Sequence, residues 1–148
     1  MVRRPLIFIL IFLVILFEYG CDRSSSEIIA KHIHKEADDQ AKIEHAFRTK
    51  QSGIFVTARG IIIKILSDDL RGRRHQRFIV ELTPKQTLLI AHNIDIAPRV
   101  ENVRIGDEII FCGDYEWNDK GGAIHWTHHD PDMRRVGGWI EHNGRRYE

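Results

Sequence analysis

From Ile54 to Leu66 the chain is a run rich in isoleucine, valine and threonine, interrupted once, at Gly60. Branching at Cβ crowds a helix and suits a pleated surface, so the run reads as one long strand. A glycine inside a strand marks a bend or a bulge. The chain is therefore expected to fold around a long, bent first strand.

The segments after it keep the same character. Ser67 to Gly72 reads as a turn. From His75 to Thr83 residues alternate, with Phe78, Val80 and Leu82 on one face and His75, Arg77 and Glu81 on the other. Thr83-Pro84-Lys85 is a second turn and Thr87 to His92 a third strand. Asn93 to Gly106, with Pro98 inside it, is a longer link. Glu108 to Trp117 is a fourth strand with Ile109, Phe111, Tyr115 and Trp117 on one face. A loop at Asn118 to Gly122 leads to a fifth strand, Ala123 to Thr127. Near the end, Trp139–His142 and Arg145–Tyr147 flank Asn143-Gly144, the strongest two-residue hairpin signal. Five strands, the first long and bent, with a long link between the third and fourth, predict a mainly β fold. The expected architecture is a small OB-like five-stranded barrel, residues 52–148, with a C-terminal hairpin.

One helix precedes it. Ile29, Ile33 and Ala37, then Ile43, Ala46 and Phe47, recur at three- and four-residue spacing, and Gln51-Ser52-Gly53 stops the pattern. This gives a helix over 27–51.

The first 21 residues point to export. Arg3 and Arg4 precede Leu6 to Phe17, an unbroken apolar run. That run is shorter than the roughly 20 residues a spanning helix needs and fits a signal-peptide core of about 7–15. Gly20-Cys21 then resembles the lipobox of bacterial lipoproteins, although Glu18 and Tyr19 depart from its usual residues. The resemblance implies a lipid on Cys21, a chain held at the periplasmic face of the membrane through its N-terminus, and a tether at 22–26. Cys112, in an apolar strand, reads as a small buried hydrophobe.

Residues from about 45 to 148 also resemble an uncharacterised bacterial family of small exported proteins. The matching segments are His75-Gln76-Arg77-Phe78, Ile90 to Arg99, Gly113 to Asn118, Gly121 to Pro131, and Gly138-Trp139-Ile140 with His142, Gly144 and Tyr147. The most distinctive of them is His125-Trp126-Thr127-His128-His129-Asp130-Pro131. Where the family pattern places a histidine soon after Asp-Pro, this chain has Met133-Arg134-Arg135. The resemblance implies export and one small domain, and no activity. Ile94 to Pro98 is also similar to a stretch of the OB-folded staphylococcal-type nucleases, with one residue inserted and Arg99 in place of an acid.

Residues 52–148 carry fourteen basic and fourteen acidic side chains, so the domain is neutral. A protein that binds polyanions must then do so through local clustering. Six of the nine histidines lie between His75 and His142. Three chemistries suit these residues.

The first is a divalent metal such as zinc, held by His125, His128, His129 and Asp130. Spacing limits this, because His125 and His129 on a straight strand stand about 13 Å apart. The second is metal-free acid–base work, with His92 or His128 moving protons and Asp95 orienting them. The third is binding alone. Arg74, His75, Arg77 and Arg99 would meet an anionic polymer, and Trp117 and Trp126 would stack on bases or sugars. Plainer readings compete with each: imidazoles that hold a loop, a solvated basic turn, and tryptophans packed in the core.

The expectation is a tethered periplasmic binding module for an anionic or sugar polymer, polyanion or polysaccharide. The alternatives are a metal-dependent hydrolase of the phosphodiesterase or nuclease type, and a structural envelope protein that acts through protein contacts.

Overall fold

The computed structural model describes residues 39–82 and 86–148. The export segment, Cys21, the tether, the first part of the expected helix and the turn at Thr83-Pro84-Lys85 lie outside the described residues.

Seven strands follow one helical stretch. Residues 39–49 are helical (α1). The strands are β1 (Ile54–Asp69), β2 (His75–Leu82), β3 (Gln86–Asn93), β4 (Glu108–Glu116), β5 (Ala123–His125), β6 (Trp139–His142) and β7 (Arg145–Tyr147). Their order in the sheet is β1-β2-β3-β5-β4-β6-β7, and β1 also pairs with β4. Five strands therefore close into a ring, β1-β2-β3-β5-β4 and back to β1. All neighbours in it are antiparallel except β3 and β5, which run parallel. This is the expected OB-like fold, with β6 and β7 added as a hairpin on β4.

The long strand explains the closure. Its first half, Ile54 to Ile61, pairs with β4, and its second half, from Ile61 onward, pairs with β2. Gly60 sits at the changeover. A Cβ there would lie 2.9 Å from the Glu81 carbonyl oxygen and 3.3 Å from Val80 Cβ, so only glycine lets the two strands approach. The pairing slips just beyond, between Ile62 and Lys64. A bulge there adds twist to a strand that must turn a corner.

Alternation then fills the inside of the ring. Val56, Ala58 and Ile62 of β1 face inward with Phe78, Val80 and Leu82 of β2 and Leu88 and Ile90 of β3. Ile109, Phe111 and Tyr115 of β4, Ile124 of β5, Ile140 of β6 and Tyr147 of β7 join them. Ile43 and Ala46 of α1 belong to the same core and are wholly buried. Each of the valine, leucine, isoleucine and phenylalanine side chains contributes roughly 1.5–3 kcal/mol when its apolar surface leaves water.

Two expectations shift at their edges. The first turn begins three residues later than the composition suggests, because β1 runs on to Asp69. The fifth strand stops at His125 and not at Thr127, because Trp126 takes a positive φ of 57°. The closing hairpin forms as expected: His142 pairs with Arg145, and Asn143 and Gly144 have φ of 50° and 74°. A two-residue turn needs that left-handed pair to match strand twist.

Candidate functional site

The distinctive motif forms a loop between β5 and β6, and most of it is committed to holding that loop in place. Thr127 is fully buried, and its Oγ1 lies 2.9 Å from His92 Nδ1. His92 Nε2 lies 3.0 Å from the Pro98 carbonyl oxygen. A carbonyl only accepts, so Nε2 carries the proton and Nδ1 accepts from the Thr127 hydroxyl. His92 is thereby a neutral imidazole that ties the β3–β4 link to the motif. Burial, with the charges of His128 and His75 nearby, holds its pKa below the ordinary histidine value, against the hydrogen bonds with Pro98 and Thr127.

The next residues behave alike. His128 is buried, and its Nδ1 donates to the His129 carbonyl oxygen at 2.6 Å. Its pKa is held down, first by desolvation and then by the positive charge of neighbours that include Arg73 and His75. The Asp130 carboxylate accepts three backbone N–H groups, those of Asp132, Arg134 and Arg135, at 3.1, 2.7 and 2.9 Å. Those bonds outweigh desolvation and lower its pKa. Trp126 is half-buried, donates Nε1–H to the Val136 carbonyl, and packs against His128 with ring centroids 4.6 Å apart and planes tilted by 50°. Arg135 lies over the Trp126 ring, 4.5 Å from it, and grips Asp114 of β4 with Nη2 at 2.8 and 2.6 Å.

The four proposed metal ligands therefore do not converge. The chain leaves the strand after His125, so His125 and His129 are exposed while His128 and Asp130 are buried. Among the described residues no three of His, Cys, Asp and Glu gather in a group suited to a metal ion. The acid–base set is also divided. Both His92 nitrogens are occupied, and Asp95 accepts from the backbone N–H and the Nε of Arg74 at 2.7 and 2.6 Å. That arginine lowers the Asp95 pKa.

The proposed ligand-binding arginines fare unequally. Arg74 is bound to Asp95, and Arg99 to Asp68. Arg77 donates Nε and Nη2 to the Ser67 carbonyl at 3.0 and 2.9 Å and keeps Nη1 for another acceptor. Of the tryptophans, Trp117 packs on the core and donates to the Phe47 carbonyl at 3.1 Å, with Lys50 over its ring. Trp139 carries Arg146 4.0 Å above its ring. Each indole already has a cation from its own chain.

What remains is the outer face of β2, β3 and β5 beside the β1–β2 turn. Arg77 pairs with Ala91, and Ile90 with Ile124, so His125 follows beside Ala91. His75 pairs with Asn93 one step nearer the turn. Alternation sends Arg77, His75 and His125 outward, because their neighbours Phe78 and Ile124 point in. Ala91, small and flush with the sheet, separates Arg77 from His125. Arg73 is exposed in the adjoining turn, and its charge reaches His128. His75 influences His92, His125 and His128 alike. The His125 pKa is lowered by desolvation and by His75, with Glu116 and Asp114 of β4 pulling the other way.

The roles of three residues escape a reading of the sequence. Arg73 differs from Arg74 only in lacking a carboxylate within reach, and nothing local signals that. Arg135 stands in the segment that departs from the family pattern, and the departure was the available clue. Buried His142 is a third: its Nε2 donates to Asp107 at 2.8 Å and fastens the final hairpin to the β3–β4 link.

No curated protein and no solved structure matches the chain significantly. One family model does, described as a protein of unknown function (DUF3465), over residues 27–148. With most of its length covered by that match, the chain belongs to this family of unknown function.

Proposed function

We propose that the OB-like ring is a binding module for an anionic polymer, docked on the outer face of β2, β3 and β5. The observation that carries this is the pattern of partners. Arg73, His75 and His125 have no hydrogen-bonded or ion-paired side-chain partner among the described residues, whereas Arg74, Arg99 and Arg135 each hold a carboxylate. Cations that lack an internal partner at one place give a neutral domain a local positive face, and phosphate or sulfate groups respond to that local field. Strands 2 and 3 with the first turn are where OB folds commonly meet extended polymers. Anionic groups fit this face better than neutral sugars, because the tryptophan rings are occupied.

The same proposal places the module at the periplasmic face of a membrane, anchored through Cys21. Mass spectrometry of the mature N-terminal peptide would find a lipid there, and Cys21→Ser would release the protein from membranes. An unmodified Cys21 in membrane-bound protein would remove the anchor.

For binding, the purified full chain is passed over heparin and single-stranded DNA at rising salt. Arg73→Ala with Arg77→Ala should elute at clearly lower salt than the natural chain. Arg74→Ala should elute close to it, because that guanidinium serves Asp95. Equal elution of all three proteins would sink the proposal.

A further inference from the structure

The two halves of β1 are finished differently. Along the first half, the edge not paired with β4 is covered by α1: the Thr57 N–H donates to Asp39 Oδ2 at 2.8 Å, and Gln40 Nε2 reaches the Arg59 carbonyl at 3.4 Å. The second half pairs with β2 on one side, and its other edge is met only as far as Ile62. There Ile62 N donates to the Asp107 carbonyl and Gly106 N to the Ile62 carbonyl. Beyond Ile62 no strand lies on that side among the described residues. Ile63 and Ile65 are 40% and 44% exposed there, with Ile105 and Leu70 at either end at 67% and 69%. An edge of this kind is a template for another strand.

We infer that a second copy of this chain adds to that edge, antiparallel and about a two-fold axis through Leu66. The argument is charge register. In an antiparallel pair centred on Leu66, Lys64 of one copy stands opposite Asp68 of the other, twice by symmetry. Ile65 stands opposite Ser67 and Ile63 opposite Asp69, with the exposed Leu70 at the rim of the pair. Lys64 has no ion-pair partner among the described residues, and a lysine on an open edge normally repels indiscriminate pairing. Here it selects a partner that brings a carboxylate to that position, and this chain brings its own. Asp68 already holds Arg99 and can accept from a second cation, since an ionised carboxylate offers about four acceptor sites. Main-chain hydrogen bonds along the open edge supply the attraction, the added strand gives Ile63 and Ile65 some cover, and the lysine–aspartate pair sets the register.

Sedimentation of the purified full chain in non-ionic detergent, over a range of concentrations, tests this. The natural chain should show a monomer–dimer equilibrium. Lys64→Asp places two like-charge contacts at the interface and should raise the dimer Kd by about tenfold or more. Adding Asp68→Lys to it restores opposite charges and should bring most of that affinity back, which a merely damaged fold would not. Ile65→Lys should give monomer. A chain that stays monomeric throughout overturns the inference, as does a dimer indifferent to Lys64→Asp. A monomer in which a thiol at Ile65→Cys is shielded from a water-soluble reagent also overturns it, assigning the edge to residues 1–38 of the same chain.

Discussion

His92 and His75 sit one residue pair apart on adjoining strands and lead opposite lives. His92 lies inside the ring, fully buried, with both ring nitrogens bonded. His75 lies outside, half-exposed, with no hydrogen-bond partner among the described residues. The division runs through the whole histidine-rich region. His92, His128 and His142 fasten the loops to the ring, and His75, His125 and His129 face water. Within one motif the chain thus has a structural clamp and a chemically available surface. Clamp substitutions should unfold the protein, and surface substitutions should leave it folded and alter what it binds.

The largest effect is expected in the clamp's tightest spot. A Cβ on Gly138 would lie 2.0 Å from the Trp126 carbonyl oxygen and 2.3 Å from that of Cys112. Both obstacles are backbone, so neither can swing aside. Gly138→Ala should cost on the order of 4 kcal/mol or more, or prevent folding altogether. Chemical denaturation followed by tryptophan fluorescence measures it, and a loss under 1 kcal/mol would mean the loop repacks freely.

His92→Ala comes next, at about 3 kcal/mol. It opens a cavity and leaves the Thr127 hydroxyl and the Pro98 carbonyl without their partner. The same residue sets a pH response. Its folded pKa is lowered, so the fold favours the neutral ring; the stability this gives is complete above the unfolded value near 6.5 and is lost as pH falls below it. His128 adds in the same direction. The carboxylates with lowered pKa values, Asp107 and Asp130, act in a separate window, losing their contribution only below about pH 4. Unfolding free energy should therefore drop between pH 7.5 and 5.5, and His92→Gln, which cannot take up a proton, should flatten much of that drop. An equally steep curve in the glutamine variant would exclude His92 as its source.

Asp130→Ala should be smaller, about 2 kcal/mol, since it strands three backbone N–H groups in a loop where water can reach some of them. A fall below 0.5 kcal/mol would show that the loop does not depend on this cap.

The sequence made the strands legible and left the roles of the polar residues obscure, for a physical reason. Gly60, the alternation at Phe78-Val80-Leu82 and the Asn143-Gly144 turn act through local sterics and local burial, so a local pattern reveals them. The partners of His92, at positions 98 and 127, are set by how three separate segments meet. His125, His128, His129 and Asp130 looked like ligands because metals and loop hydrogen bonds use the same nitrogen and oxygen atoms. The local pattern could not show that Trp126 turns the chain at φ 57° and splits the four into inward and outward pairs. Arg74 and Arg73 are identical in type and adjacent. Only the approach of Asp95 from twenty-one residues away makes one a structural ion pair and leaves the other to solvent.

The smallest effect on stability is expected where the comparison is sharpest, at His75→Ala with His125→Ala. Neither ring donates or accepts a hydrogen bond within the described fold, so the pair should change unfolding free energy by less than about 0.5 kcal/mol at pH 7.5. Binding should tell a different story. At pH 7.5 His125, its pKa held down, adds no charge to an electrostatic face built on Arg73 and Arg77. At acidic pH His125 takes up a proton, later than an ordinary histidine would, because desolvation and the charge of His75 lower its pKa. Retention of the natural chain on heparin should then strengthen at acidic pH, and that gain should shrink in the double variant while the pH 7.5 retention stays. Were the double variant to unfold instead, the exposed and buried histidines would not be the separate classes their surroundings make them.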